Sequence, residues 1–167
     1  MITKIKPLPV KKNKFGQRVA DIHIYEYYCQ LMEEILEAHK AAVVYENIET
    51  ARHITIDGRS YDEAIELVDI ITCCVTRLHI IGGKYDARVI DLPTDYFYRE
   101  LAKQVLCAFQ KAVLIGFFSV NREAVELSAV IKMCVARLES LGYDESAREN
   151  LYAAVNDKNK KRGYFEE

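Results

Sequence analysis

Two pairs of acids in the sequence have the types and spacing for chemistry. Glu34 and Glu37 lie in Met32-Glu33-Glu34-Ile35-Leu36-Glu37, and Glu66 and Asp69 lie in Glu63-Ala64-Ile65-Glu66-Leu67-Val68-Asp69. Each pair is spaced i,i+3, which places both carboxylates on one face of a helix. Glu66 and Asp69 are embedded among Ala64, Ile65, Leu67, Val68, Ile70 and Ile71, and acids in such surroundings are rarely left without a counter-charge or a metal. Two such helices packed side by side converge four carboxylates on one point. Oxygen-only donors in that arrangement suit Mg²⁺, with Mn²⁺ as the alternative. Glu33 is a candidate general base or outer ligand beside Glu34. The histidines offer no competing site: there is no Glu-x-x-His pattern of a di-iron bundle, and His39 is roughly 200° around the helix from Glu37.

The elements that must carry these acids are helical. Apolar residues at Ile24, Tyr28, Leu31, Ile35 and Ala42 predict a helix from about 21 to 44. Ile56-Asp57-Gly58-Arg59 reads as a turn. Ser60-Tyr61-Asp62-Glu63 has the pattern of a capping box and starts a second helix, which Gly82-Gly83 ends after Ile81. Residues 84 to 93 read as a connection. Thr94 or Asp95 caps a third helix ending near Phe118. Asn121 caps a fourth that stops at Gly142, and Asp144 caps a fifth running to about Lys161. No stretch of period-2 alternation is long enough to build a sheet. The expected class is all-α, a four-helix-bundle-like core with a C-terminal helix.

The chain repeats itself. Residues 63–78 read EAIELVDIITCCVTRL and residues 123–138 read EAVELSAVIKMCVARL, identical at nine of sixteen positions including Glu63/Glu123, Glu66/Glu126, Cys74/Cys134 and Arg77/Arg137. Amphipathic patterning yields chance matches of Leu or Ala, but matched Glu, Cys and Arg point to duplication. The preceding helices echo one another at an offset of 71, through Tyr25/Tyr96, Tyr27/Tyr98, Lys40/Lys111 and Ala41/Ala112. Two helix hairpins side by side form a four-helix bundle with a pseudo-twofold axis. In that alignment Glu34 maps to Val105, Glu37 to Ala108 and Asp69 to Ala129, and Glu66 alone keeps an acidic counterpart, Glu126. The organisation expected is a single domain over 1–167: a basic arm (1–20), a repeat with the complete acid motif (21–81), a degenerate repeat (94–142), and a final helix with a basic tail (144–162).

That tail, Lys158-Asn159-Lys160-Lys161-Arg162-Gly163-Tyr164, clusters cations and an amide suited to phosphate oxygens. The acid pattern Glu33-Glu34-x-x-Glu37, a spacer of 28 residues, Glu66-x-x-Asp69 and the Lys158-Asn159 tail together resemble the MazG-like, all-α nucleoside triphosphate pyrophosphohydrolases. Within that superfamily the tandem layout is similar to the dimeric all-α dUTPases. The resemblance implies hydrolysis of a nucleoside triphosphate between the α and β phosphates, giving a nucleoside monophosphate and pyrophosphate. It implies Mg²⁺ held by Glu34, Glu37, Glu66 and Asp69, catalytic parts for Glu33 and Glu34, and substrate contacts from Lys158, Asn159 and Arg162. A homodimer is expected. One departure is that the tail follows the degenerate repeat rather than the acid-bearing one.

Composition sets the remaining bounds. Of 167 residues 50% are hydrophobic and 29% charged, the net charge is −2, and there are five cysteines. The charge provides no global drive toward nucleic acid or membrane. The cysteines form no metal-binding or disulfide pattern and fit a reducing, cytoplasmic setting. No apolar run reaches the ~18 residues of a membrane span. The alternative reading is a non-enzymatic helical interaction protein touching nucleic acid through residues 1–18 and 156–162.

Overall fold

In the computed structural model, which describes residues 4–8, 23–46, 55–56, 59–86, 88, 96–114 and 119–165, the chain forms five helices: α1 (Ile24–Glu46), α2 (Tyr61–Ile80), α3 (Phe97–Ala112), α4 (Ser119–Ser140) and α5 (Glu145–Lys161). The class is all-α. A short antiparallel hairpin, β1 (Thr55–Ile56) and β2 (Arg59–Ser60), pairs Thr55 with Ser60 and Ile56 with Arg59 ahead of α2. Asp57-Gly58, Thr94-Asp95 and Lys11 to Arg18 lie outside the described residues. α3 begins on Tyr96, whose backbone is left-handed at φ 54°, and α4 begins two residues before Asn121.

α2 and α4 form the centre. Leu67, Val68, Ile70, Ile71, Leu127, Val130 and Ile131 are all fully buried. The two helices run antiparallel, locked by a crossed pair of buried ion pairs. Arg137 Nε donates to Glu63 Oε1 at 2.8 Å, and Arg77 Nε donates to Glu123 Oε1 at 2.8 Å. These are the duplicated Glu and Arg positions, each acid taking its arginine from the other copy. The phenols complete the pattern. Tyr98 of α3 donates to Glu63 at 2.7 Å and Tyr28 of α1 donates to Glu123 at 2.9 Å. Burial first, then the carboxylate each faces, drives both phenols well above the usual tyrosine range. Ring contacts repeat as well. Tyr27 stands edge-on to Tyr28 at 5.1 Å and Phe97 edge-on to Tyr98 at 5.0 Å. Arg77 lies over Tyr27 and Arg137 over Phe97. The symmetry extends to the helix ends. Gly82 and Gly142 both adopt positive φ, and Gly83 N–H and Tyr143 N–H close the last turns onto Leu78 and Leu138 carbonyls at 2.9 and 3.0 Å. Gly at that position meets no Cβ penalty.

Two sequence expectations are corrected by this arrangement. Glu63 does not cap α2: it is fully buried and spends its carboxylate on Arg137 and Tyr98. The tertiary demand of a buried charge outweighs a local capping bond. The α1/α3 alignment is offset by 70, not 71. The buried Leu31, Ile35 and Ala38 correspond to the buried Leu101, Val105 and Ala108, and Tyr28 corresponds to Tyr98 by their shared role. Glu34 therefore corresponds to Gln104 and Glu37 to Cys107. Val105 and Ala108 are core positions, the counterparts of Ile35 and Ala38. The cysteines also divide: Cys73, Cys74 and Cys134 are buried, whereas Cys29 and Cys107 are exposed.

Stranding one acid of the crossed pair should cost about 3–5 kcal/mol. Arg77→Met is expected to lower urea-unfolding stability by that amount, and adding Glu123→Leu should restore most of it. A single variant within about 1 kcal/mol of the parent would show that the pair carries no register energy.

Candidate metal and phosphate site

α1 lays Leu31, Ile35 and Ala38 into the core, so Glu34 and Glu37, on the flank of that stripe, emerge at the seam with α2. α1 runs antiparallel to α2: Tyr27 Oη donates to the Cys73 carbonyl at 2.8 Å near one end, and Glu34 and Glu37 meet Glu66 nearer the other. One carboxylate oxygen from each of Glu34, Glu37 and Glu66 lies within 4.8 Å of the other two. Glu66 is half-buried between Ile65 and Leu67. Burial, then the charges of Asp69, Glu34 and Glu37, push its carboxyl up to about 7, against a smaller opposing effect of Lys158. All four acids of the motif thus act on one locus.

Asp69, one turn on, is committed differently. Its Oδ2 accepts from Lys158 Nζ of α5 at 2.5 Å. Three acids share the cluster and the fourth faces a lysine. Lys158 is brought to an acid of the first repeat although it follows the second, because α5 packs back onto α2. Asn159 is 2% exposed and its Nδ2 has no hydrogen-bond partner among the described residues. Arg162 is the exposed C-cap of α5, its N–H donating to the Lys158 carbonyl at 3.2 Å. Glu33 faces solvent, about 100° around α1 from Glu34, and is not one of the clustered acids.

α5 is held in place from the N-terminal end of the chain. Residues 4–8, read as part of a free basic arm, are docked. Ile5 and Leu8 are buried. Lys4 pairs with Glu149 at 2.6 Å, and its carbonyl accepts from Asn156 Nδ2 at 2.9 Å. Leu8 N–H donates to Thr76 Oγ1 of α2 at 2.9 Å. The segment straps α5 to α2. The apolar pair Ile5 and Leu8, spaced by three among lysines and prolines, was the available signal.

At the equivalent place in the second half, Gln104 Nε2 donates to Glu126 Oε2 at 2.5 Å, with Cys107 and Ala129 where the first half has Glu37 and Asp69. An amide has replaced one acid and turned a repulsive pair into a hydrogen bond. Among known proteins, no family model, curated protein or solved structure matches the chain.

The Glu66 carboxyl, ordinarily near 4.5, binds its proton more tightly in the fold than in the unfolded chain. Its contribution is therefore fully present below about 4.5 and is lost as pH rises toward about 7. Glu66→Gln should leave the melting temperature in EDTA unchanged at pH 4 and raise it by a few degrees at pH 8, a gain limited by solvent screening of a half-exposed group. Equal melting curves at pH 8 would show that the cluster is not under repulsion.

Proposed function

We propose that the chain is a divalent-cation-dependent nucleotide pyrophosphohydrolase, cleaving (d)NTPs between the α and β phosphates to a (d)NMP and pyrophosphate. The observation that carries this reading is the convergence of Glu34, Glu37 and Glu66 within 4.8 Å from two helices, with Lys158 reaching the fourth acid from a third helix. Like charges held this closely repel unless protonated or neutralised, and the donor set is all oxygen, which fits a hard cation. Glu34, Glu37, Glu66 and Asp69 would hold Mg²⁺, with Mn²⁺ the alternative. When bound, the cation neutralises phosphate charge and favours ionisation of water.

The chain's own residues divide the remaining work. Glu66, whose carboxyl is pushed up to about 7 by burial and the neighbouring acids, would ligate a cation as the carboxylate. Glu34, inside the cluster, is placed to accept a proton from an attacking water; Glu33, outside it, is assigned no step. Lys158, which reaches Asp69 from α5, would offer a positive charge to substrate phosphates. Asn159 brings a buried donor whose hydrogen-bonding capacity is unspent. Arg162, exposed at the end of α5, supplies a further contact at the rim. The reading of the tail as a nucleic-acid contact is disfavoured because Lys158 is already drawn in to Asp69. A homodimer and a cytoplasmic setting accompany the proposal. Among the described residues no helix is long and apolar enough to cross a membrane.

Pyrophosphate release measured over a panel of (d)NTPs with Mg²⁺ tests the reading. Asp69→Asn should lower activity at least about 100-fold, beyond what loss of a mere outer partner costs, while the fold persists. Glu126→Gln, where Gln104 already replaces an acid, should retain most of it. Arg162→Ala should raise KM more than it lowers kcat. No pyrophosphate from any nucleotide would end the proposal, and loss of activity in Glu126→Gln equal to that in Asp69→Asn would replace one site with a composite of both halves.

A further inference from the structure

In the second repeat the acid cluster is neutralised, and cations stand at neighbouring positions. Under the corrected register, Glu33 is replaced by Lys103, Glu34 by Gln104, Glu37 by Cys107, Ala41 by Lys111, Asp62 by Arg122 and Asp69 by Ala129. Lys103, Lys111 and Arg122 are cations where the first repeat has none; Lys103 is paired with Glu100 at 2.9 Å. The structure shows where two of these cations go. Lys111, Asn121, Arg122, Val125 and Glu126 line an open cavity of about 270 Å³ between the end of α3 and the start of α4. Neither Lys111 nor Arg122 makes an ion pair or side-chain hydrogen bond with any described residue. The carboxylate in the wall, Glu126, is already engaged by Gln104 at 2.5 Å. Among the described residues the lining carries two cations against one anion.

We propose that this cavity is a metal-independent binding site for a small phosphate-bearing anion, a pyrophosphate or the phosphate of a nucleotide. Arg122 contributes a planar fork of donors matched to phosphate oxygens, and Lys111 a mobile point charge. Asn121 adds a neutral donor at the mouth, and Val125 an apolar wall. Gln104 keeps the Glu126 carboxylate turned into an amide contact, which limits its repulsion of the incoming anion. At about 270 Å³ the open cavity is somewhat smaller than ordinary ligand pockets, a size suited to a phosphate group rather than a whole cofactor. The site differs from the acid cluster in kind: one needs a cation to hold a phosphate, the other supplies its own. The inference does not depend on the hydrolase reading, because it is tested without metal and without turnover.

Titration calorimetry of the full chain in EDTA, with pyrophosphate and separately adenosine monophosphate as probes, tests it. At least one probe should bind, and Arg122→Gln and Lys111→Gln should each weaken that binding tenfold or more. Glu66→Gln and Lys158→Gln should leave it within twofold. Both cations are surface-accessible, so the variants should melt at the parent temperature, which separates lost binding from lost folding. Tighter binding of the nucleotide would assign its phosphate as the ligand; tighter pyrophosphate would assign the free anion. Absence of binding by both probes, or binding that survives Arg122→Gln and Lys111→Gln but falls with Lys158→Gln, would overturn the proposal.

Discussion

Glu63 and Glu123 are buried carboxylates, and neither helix that carries them supplies their counter-charge. Each draws an arginine from the opposite central helix and a phenol from an outer one. The Glu63 group ties α2, α4 and α3, and the Glu123 group ties α4, α2 and α1. The acid and arginine on each central helix are about 21 Å apart along the axis, so both pairs close together only in one antiparallel register. A buried ion pair adds little net stability over a well-packed apolar pair, whereas stranding either charge is expensive. The crossed pairs therefore act mainly against misregistered bundles, and the apolar core between them provides the stabilising burial.

The acid cluster is a consequence of that frame. Tyr28 reaches Glu123 only if α1 lies in one register against the centre, and this register brings Glu34 and Glu37 to Glu66. The second half has the same frame with Tyr98 in place of Tyr28, and there Gln104 meets Glu126. Two sites of identical scaffold and different charge thus sit in one molecule. What distinguishes the first half beyond its acids is α5, strapped against α2 by residues 4–8, which brings Lys158 to Asp69 and leaves the Asn159 amide buried and unspent. The Glu66 carboxyl near 7 marks the result: a cluster that a cation would relieve.

Much of this was legible in the sequence for definite reasons. The i,i+3 spacing of the acids fixes a shared face whatever the tertiary fold, so their convergence needed only that α1 and α2 pack together. The duplicated Glu, Cys and Arg revealed the pseudo-symmetry of α2 and α4. Other features depended on partners far along the chain. Glu63 looked like a cap because the local pattern was complete, while its arginine is 74 residues away. Matching tyrosine and lysine identities favour an α1/α3 offset of 71, whereas the core-facing stripe of Leu31, Ile35 and Ala38 sets it at 70. The Lys158–Asp69 contact, across 89 residues, had no local trace, and the docking of residues 4–8 was hidden under a basic composition.

The central claim is that one half of a pseudo-symmetric bundle holds a divalent cation and the other does not. Electron paramagnetic resonance of free Mn²⁺ during titration with the protein at neutral pH measures this without presupposing a substrate. The account predicts that the free-ion signal falls as protein is added, that Glu34→Gln restores it, and that Glu126→Gln has no effect. A signal undiminished by the parent protein, or diminished equally by the Glu34→Gln variant, would contradict it.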